Sequence, residues 1–195
     1  MLQHLLSLAY LRWNEFYSTI KSSSEVIPIQ IQSALISALI SWWITTYRSK
    51  MKETFDLHRE FNTDLYSNRI QAEKFIKTAN NRNISLSELY SKDPDASKDL
   101  LLVIRFYERL YFAIHYGQVN VKVTSSLFGD VFFWWYIFSF KEQFISTSTS
   151  WQSKDNMESL YKWFVQKSSK EAVLKWTKNA EGELETFLKS KLETR

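Results

Sequence analysis

The chain has 195 residues with no cysteine, three glycines and two prolines, and 45% of its residues are hydrophobic. The lack of cysteine excludes a disulfide scaffold, a thiolate metal cluster and a cysteine nucleophile. So few glycines and prolines leave little material for β-sandwich turns or a phosphate-binding loop, and we therefore predict an all-α fold. The net charge of +4 is small and interspersed, so no nucleic-acid partner is expected.

Residues 1–24 are predicted to contain an amphipathic helix. A helix of this kind lies in a membrane interface or packs back on the rest of the chain, and the pattern leaves both possibilities open. A cleaved signal peptide is not predicted, because no basic residue precedes the leucines and no small-residue cleavage pattern follows them. The apolar side of the helix comprises Leu2, Leu5, Leu6, Ala9, Trp13 and Phe16.

Residues 25–47 are predicted to form a single transmembrane helix. Between Glu25 and Arg48 the only side chain that can ionise is that of Tyr47. A helix of this length spans roughly 30 Å, the thickness of the hydrocarbon core of a bilayer. Two glutamines and several hydroxyl residues make its insertion marginal, and the alternative is a buried central helix of a soluble bundle.

Aromatic and then basic residues mark the C-terminal end of this span. Trp42, Trp43 and Tyr47 cluster there as interfacial residues do, and basic residues follow at once. Because basic residues favour the cytoplasmic side, we expect a single-pass protein of the cell membrane with a cytoplasmic helical-bundle domain over 48–195. The basic residues nearest to the span are Arg48, Lys50 and Lys52.

Small and polar residues recur at helical spacing along one side of the predicted span. In lipid, such a stripe lets another helix approach closely and exchange hydrogen bonds. The expected partners are therefore membrane lipid together with a second copy of the chain or another membrane protein. The alternative is that the hydroxyl groups bond to their own helical turn. The stripe consists of Gln30, Ser33, Ser37, Ser41 and Thr45.

Capping signals divide residues 48–195 into further helices. One helix is predicted over 48–79, ended by the asparagines of 80–83, and a capping box over 85–88 opens a short one. Asp93 and Pro94 begin a helix that runs to Tyr116 and ends at Gly117. Another follows Asn120 and continues to about Phe144, and 146–150 is a loop. Two C-terminal helices follow, with a break or frayed stretch at Gly182.

The run 131–140 is almost wholly aromatic and apolar, and it includes Trp134 and Trp135. As a helix it covers only about 15 Å, too little to cross a bilayer. We interpret it as a central helix buried nearly all round. The competing hypothesis is a pocket for a lipid, pigment or haem-like ligand, or a surface that docks on a partner, for which Trp134 and Trp135 are the candidate contact residues.

The sequence contains no pattern that indicates a catalytic residue, a metal or a cofactor. The three histidines have no paired zinc spacing, and three glycines cannot form a nucleotide loop. Arg105, Glu108 and His115 share one helical face; an ion pair that fixes helix register is preferred over acid/base catalysis. The acidic stripe over 53–64 and the lysine-rich C-terminal helices are interpreted as solvated faces.

Four segments of the chain combine aromatic residues with a few polar ones: Phe61–Tyr66, Phe106–Gly117, Leu127–Asp130 and Trp134–Trp135. These segments resemble a bacterial family in the domain-of-unknown-function series, number forty-seven sixty. The resemblance covers roughly residues 50–165, and it implies an N-terminal membrane helix followed by a helical domain, without an activity.

Together these features predict a membrane-anchored helical protein that acts through protein–protein contacts, as an accessory or scaffolding component of a membrane complex, and that is not an enzyme. The alternative is a helical ligand-binding protein or enzyme that uses 131–140 as its pocket, with Glu108 and His115 as its polar groups.

Overall fold

The computed structural model describes residues 29–78, 91, 93–141 and 152–193. Within these ranges every regular element is a helix and none is a strand, so the predicted all-α helical bundle is confirmed. The predicted N-terminal helix, the asparagines of 80–83, the capping box at 85–88 and the loop at 146–150 lie outside the described residues. The helices are α1 (Ile29–Arg59), α2 (Tyr66–Thr78), α3 (Pro94–His115), α4 (Val121–Tyr136), α5 (Gln152–Lys167) and α6 (Lys170–Glu193).

The chain divides into two compact units, Met1–Thr46 and Tyr47–Arg195. In the first unit the structure describes residues 29–46, which form the first half of α1. Among the described helices, none is both long and apolar enough to cross a membrane. The transmembrane helix predicted over 25–47 therefore has no support from the structure.

In the second unit, α1 does not continue to residue 79 as predicted. It passes into a π-helical turn over Glu60–Asp64, in which the amide of Leu65 donates to the carbonyl of Glu60 at 3.0 Å. Side chains satisfy neighbouring backbone carbonyls: Asn62 Nδ2 donates to His58 O at 2.9 Å, and a guanidinium nitrogen of Arg69 donates to Phe61 O at 3.0 Å. The π-helical turn and Leu65 thus lie between α1 and α2.

Both ends of α3 follow the predicted capping signals. Pro94 stands at the first position, and the carboxylate of Asp93 accepts a hydrogen bond from the Ala96 amide at 3.0 Å. After Tyr116, Gly117 adopts a φ of +65°, which glycine reaches without strain. The Gly117 and Gln118 amides then donate to the carbonyls of Ile114 and Ala113, the arrangement of a Schellman motif.

The core of the second unit is formed by α2 to α6 together with Leu57 of α1 and Phe61 of the π-helical turn. Helix α3 packs between α2 and α5, and α4 packs against α5 and α6. The segment 131–140 lies in this core, as the preferred interpretation predicted, and continues α4 through a π-helical segment over Ile137–Lys141. Its rings pack on those of other helices: Phe132 stacks on Phe164 at 5.0 Å between centroids, and Tyr136 on Tyr161 at 4.5 Å.

Two glycines lie inside helices with very different surroundings. A β-carbon on Gly129 of α4 would lie 2.3–2.6 Å from three ring atoms of Trp176, so the missing side chain allows α6 to bring its indole against α4. Gly182 of α6 has nothing within 4 Å of such an atom. Helix α6 continues through Gly182 unbroken, so the predicted break there is wrong. The helix is maintained by the residues on both sides of Gly182, because one glycine lowers helix stability by only about 1 kcal/mol relative to alanine.

Candidate interaction surfaces

The first unit presents an apolar helix surface over residues 31–46, which we call the apolar segment. Its side chains are exposed on nearly every side, and none of them is ionisable. Trp42 and Trp43 are 67% and 64% exposed, which is unusual for tryptophan. The other exposed large apolar side chains of the segment are those of Ile31, Leu35, Leu39, Ile40 and Ile44.

The predicted hydroxyl stripe lies on this exposed surface. Ser33, Ser37, Ser41 and Thr45 are all exposed, and they are spaced along more than three turns of α1. The side chain of Gln30 lies outside the described side chains. Small exposed residues allow the backbone of another helix to approach closely. The stripe is therefore accessible in the part of the chain that the structure describes.

The paired tryptophans at 134 and 135 differ in their surroundings because consecutive helical residues point about 100° apart. Trp135 is buried in the core. Trp134 is half-buried; its ring stacks on Phe138 at 4.4 Å, and its Nε1 donates to a carboxylate oxygen of Glu183 at 2.9 Å. Neither ring presents a fully exposed face of the kind predicted for a docking surface.

A groove of about 440 Å³ runs beside these tryptophans, between α2, α4 and α6. Its three carboxylates all have partners within the chain: Lys77 Nζ lies 2.7 Å from a Glu73 oxygen and 3.9 Å from a Glu183 oxygen, and Asp130 accepts a hydrogen bond from Asn179 Nδ2 at 3.3 Å. The ammonium group of Lys77 also lies 5.4 Å from the centre of the Trp134 ring. Lys77 therefore lies within ion-pair distance of two of the three carboxylates that line the groove. The ligand-pocket alternative for 131–140 stays a prediction.

The three polar candidates of α3 do not converge on one site. Glu108 accepts hydrogen bonds from Ser153 Oγ and, at 3.5 Å, from Asn156 Nδ2, which connect α3 to α5. Among the described residues no ion pair joins Glu108 to Arg105, which is exposed. His115 is exposed at the end of the helix beside two tyrosine rings. The hydrogen-bond donors to Glu108 lie about 45 residues away in sequence, where no local spacing signals them.

Two acidic residues, Asp56 of α1 and Glu60 of the following π-helical turn, are paired with arginines. Asp56 lies 3.0 Å from Arg59, and Glu60 pairs with Arg109 of α3. In the described ranges no group of histidine, aspartate and glutamate side chains is arranged to hold a metal ion. The Glu60–Arg109 pair connects the π-helical turn to α3.

One buried hydroxyl stands out in the core. Tyr107 is fully buried between the rings of Phe61 and Phe132, and its hydroxyl finds no hydrogen-bond partner among the described residues. Burial raises the pKa of Tyr107 well above its usual value of 10.0, although the positive charge of Arg69 opposes this effect. The phenol therefore stays neutral, and its ring packs between those of Phe61 and Phe132.

Comparison of the chain with protein families, with curated proteins and with solved structures gave no match. The resemblance to the helical family described above stays a prediction.

Proposed function

We propose that this chain is a membrane-associated helical protein that works through contacts, as an accessory or scaffolding component of a membrane complex. The observation that supports the proposal is the apolar segment, a helix surface without ionisable groups whose large side chains face outward. Each square ångström of apolar surface removed from water contributes roughly 25 cal/mol. A contiguous surface of this kind is typical of a membrane or protein contact.

A lipid bilayer is the contact that best fits the composition of the segment. Tryptophan is enriched where the hydrocarbon core meets the headgroups, and Trp42 and Trp43 are the most exposed large apolar side chains of the segment. In sequence, basic residues follow within a few positions, as they do on the cytoplasmic flank of membrane helices. Within lipid, the stripe of Ser33, Ser37, Ser41 and Thr45 would contact a helix of a second copy or of a membrane protein.

The apolar segment can associate with a bilayer in two ways, by crossing it or by lying in its interface. Its serines, threonines and glutamine reduce the free energy gained on insertion, which favours attachment over a stable crossing. Membranes that contain the full chain should therefore be washed with alkaline carbonate. Release by carbonate indicates an interfacial helix, whereas retention indicates the single-pass topology.

The association itself is tested by flotation of the full chain with lipid vesicles. Leu35→Asp with Leu39→Asp places two charges on adjacent turns of the segment. Tyr66→Asp with Ile70→Asp is a matched control: both pairs are exposed, at 48% and 44% against 58% and 44%, both have the same spacing, and both change the net charge equally. We expect the original chain and the control to float, and the Leu35/Leu39 variant to remain in solution.

The size of the effect follows from the cost of charge in lipid. An aspartate costs about 2.5–3.5 kcal/mol at the centre of a membrane helix and less near the interface, so two of them should reduce partitioning more than about 100-fold. Equal flotation of the two variants, or failure of the original chain to float, would contradict the proposal.

A further inference from the structure

Three separate stretches of the second unit meet at one end of its bundle. Thr54 Oγ1 of α1 accepts a hydrogen bond from the Asn120 amide at 2.9 Å, which places the start of α4 beside α1. Ser125 Oγ of α4 lies 2.6 Å from Ser168 Oγ, in the turn between α5 and α6. The stretches 47–54, 115–122 and 165–171 therefore share this end of the bundle.

Basic residues dominate these stretches, and we call the surface the basic end. Its acidic residues are Glu53 and Glu171. Lys50 Nζ lies 3.9 Å from the position of a β-carbon on Gly117, so the cation of α1 lies against the α3–α4 turn. The excess of positive charge is thus a property of the folded unit and is only partly visible in any one stretch. The basic residues are Arg48, Lys50, Lys52, Lys122, Lys167 and Lys170.

The same end exposes apolar and aromatic side chains between its cations. Tyr116 is 70% exposed, and Tyr47 and Val121 are exposed to about half their areas, at 49% and 44%. A tyrosine ring with its hydroxyl group suits the headgroup region of a bilayer, where one side of the ring contacts apolar chains and the other contacts water.

We propose that the basic end docks on the anionic headgroups of a lipid bilayer and gives the protein a preference for negatively charged membranes. The inference rests on the proposed membrane association and adds a lipid class to it. Six cations against two carboxylates are complementary to an anionic surface. The unit begins at Tyr47, so the basic end directly follows the apolar segment in sequence and would act on the membrane that this segment contacts.

Lipid fits this surface better than nucleic acid. A phosphate backbone is bound by cations and polar groups, and aromatic residues join them where bases can stack. Val121 offers no surface for base stacking, yet it is exposed among the cations. Aliphatic side chains beside lysines instead match the boundary between headgroups and acyl chains.

The experiment measures binding of the full chain to phosphatidylcholine vesicles with and without phosphatidylserine, at low and high salt. The test variant neutralises Lys122, Lys167 and Lys170 to glutamine. Its control neutralises Lys98, Lys162 and Lys189, which are exposed outside the three stretches, so the net charge changes equally. The original chain should prefer the anionic vesicles, and salt should weaken that preference.

Each lysine near an anionic surface increases the affinity about five-fold, so the test variant should bind anionic vesicles about 100-fold more weakly than the original chain. On neutral vesicles the test variant should bind as the original chain does. The affinity of the control variant for either type of vesicle should differ from that of the original chain by less than about three-fold. Equal losses in both variants, no preference for anionic vesicles, or tighter lysine-dependent binding to duplex DNA than to vesicles would overturn the inference.

The outcomes also separate this inference from the proposed function. Binding to both vesicle types without an anionic preference overturns the inference and leaves membrane association standing. If the variant with Leu35→Asp and Leu39→Asp binds anionic vesicles as tightly as the original chain, and the three lysines account for that binding, the basic end is retained. In that case the apolar segment does not attach the protein to the membrane, and the proposed role of that segment is wrong.

Discussion

Replacing Gly129 with alanine is expected to destabilise the protein, although alanine favours helices. The added β-carbon would meet three ring atoms of Trp176 at 2.3, 2.4 and 2.6 Å, so the indole must move by about 1 Å to reach ordinary contact distance. The indole is itself packed against Phe133 at 5.4 Å and Phe164 at 6.3 Å, which limits this movement. Overpacking of this severity costs about 3 kcal/mol, and the gain in helix propensity returns about 1 kcal/mol.

The expected net loss is therefore about 2 kcal/mol of unfolding free energy, which lowers the melting temperature by about 4–8 °C in a chain of this size. Gly182→Ala is the matched control, because nothing lies within 4 Å of its β-carbon. That variant should gain about 0.5–1 kcal/mol from helix propensity alone. Urea unfolding followed by circular dichroism measures both changes.

A double variant tests the cause directly. The clashing atoms lie at the outer edge of the indole, farther from the backbone than the phenyl ring of phenylalanine reaches, so Trp176→Phe should relieve part of the loss caused by Gly129→Ala. We expect the two changes to be less than additive by about 1–2 kcal/mol. Additive effects, or a stabilising Gly129→Ala, would refute the packing argument.

Three further predictions concern polar side chains of the second unit, namely those of Glu108, Thr54 and Tyr107. Glu108→Ala should lose about 1.5 kcal/mol of unfolding free energy because it removes both side-chain hydrogen bonds to α5. Arg105→Ala should change the unfolding free energy by less than about 0.5 kcal/mol. If urea unfolding shows the larger loss for Arg105→Ala, the ion-pair hypothesis is favoured. Thr54→Val keeps the packing but leaves the Asn120 amide without its acceptor, so chemical denaturation should show a loss of about 1–3 kcal/mol. The phenol of Tyr107 has a pKa of 10.0 in the unfolded chain and a higher pKa in the folded one. Its contribution to the free energy of unfolding is therefore fully present below pH 10 and is lost as the pH rises further. Tyr107→Phe should reduce this alkaline loss of stability. If the variant unfolds with the same dependence on pH as the original chain, Tyr107 is not the cause of that loss.

Local signals in the sequence were sufficient where a structure depends on neighbouring residues. Asp93 and Pro94 at the start of α3, and Gly117 at its end, act through their own backbone geometry and nearby amides. The segment 131–140 was recognisable as core because ten residues without a charge on any helical face have no polar side to expose.

Other features depend on contacts that helical periodicity does not encode. The break between α1 and α2 rests on side chains such as Arg69 bonding to carbonyls of the π-helical turn, and the periodic pattern of apolar residues continues past it. The partners of Glu108 and the stretches that form the basic end meet only after the helices pack. Gly182 was misleading because a glycine alone cannot indicate whether its helix continues.

The central claim is that the apolar segment contacts lipid, and a spin label at one position measures this most directly. Because the chain has no cysteine, Ser41→Cys and Ser67→Cys each provide a single labelling site, exposed on α1 and α2 respectively. With anionic vesicles present, we predict that the label at position 41 becomes accessible to oxygen and protected from a water-soluble relaxing agent. The label at position 67 should remain exposed to water. Equal exposure to water at both positions, with the protein bound to vesicles, would contradict the claim.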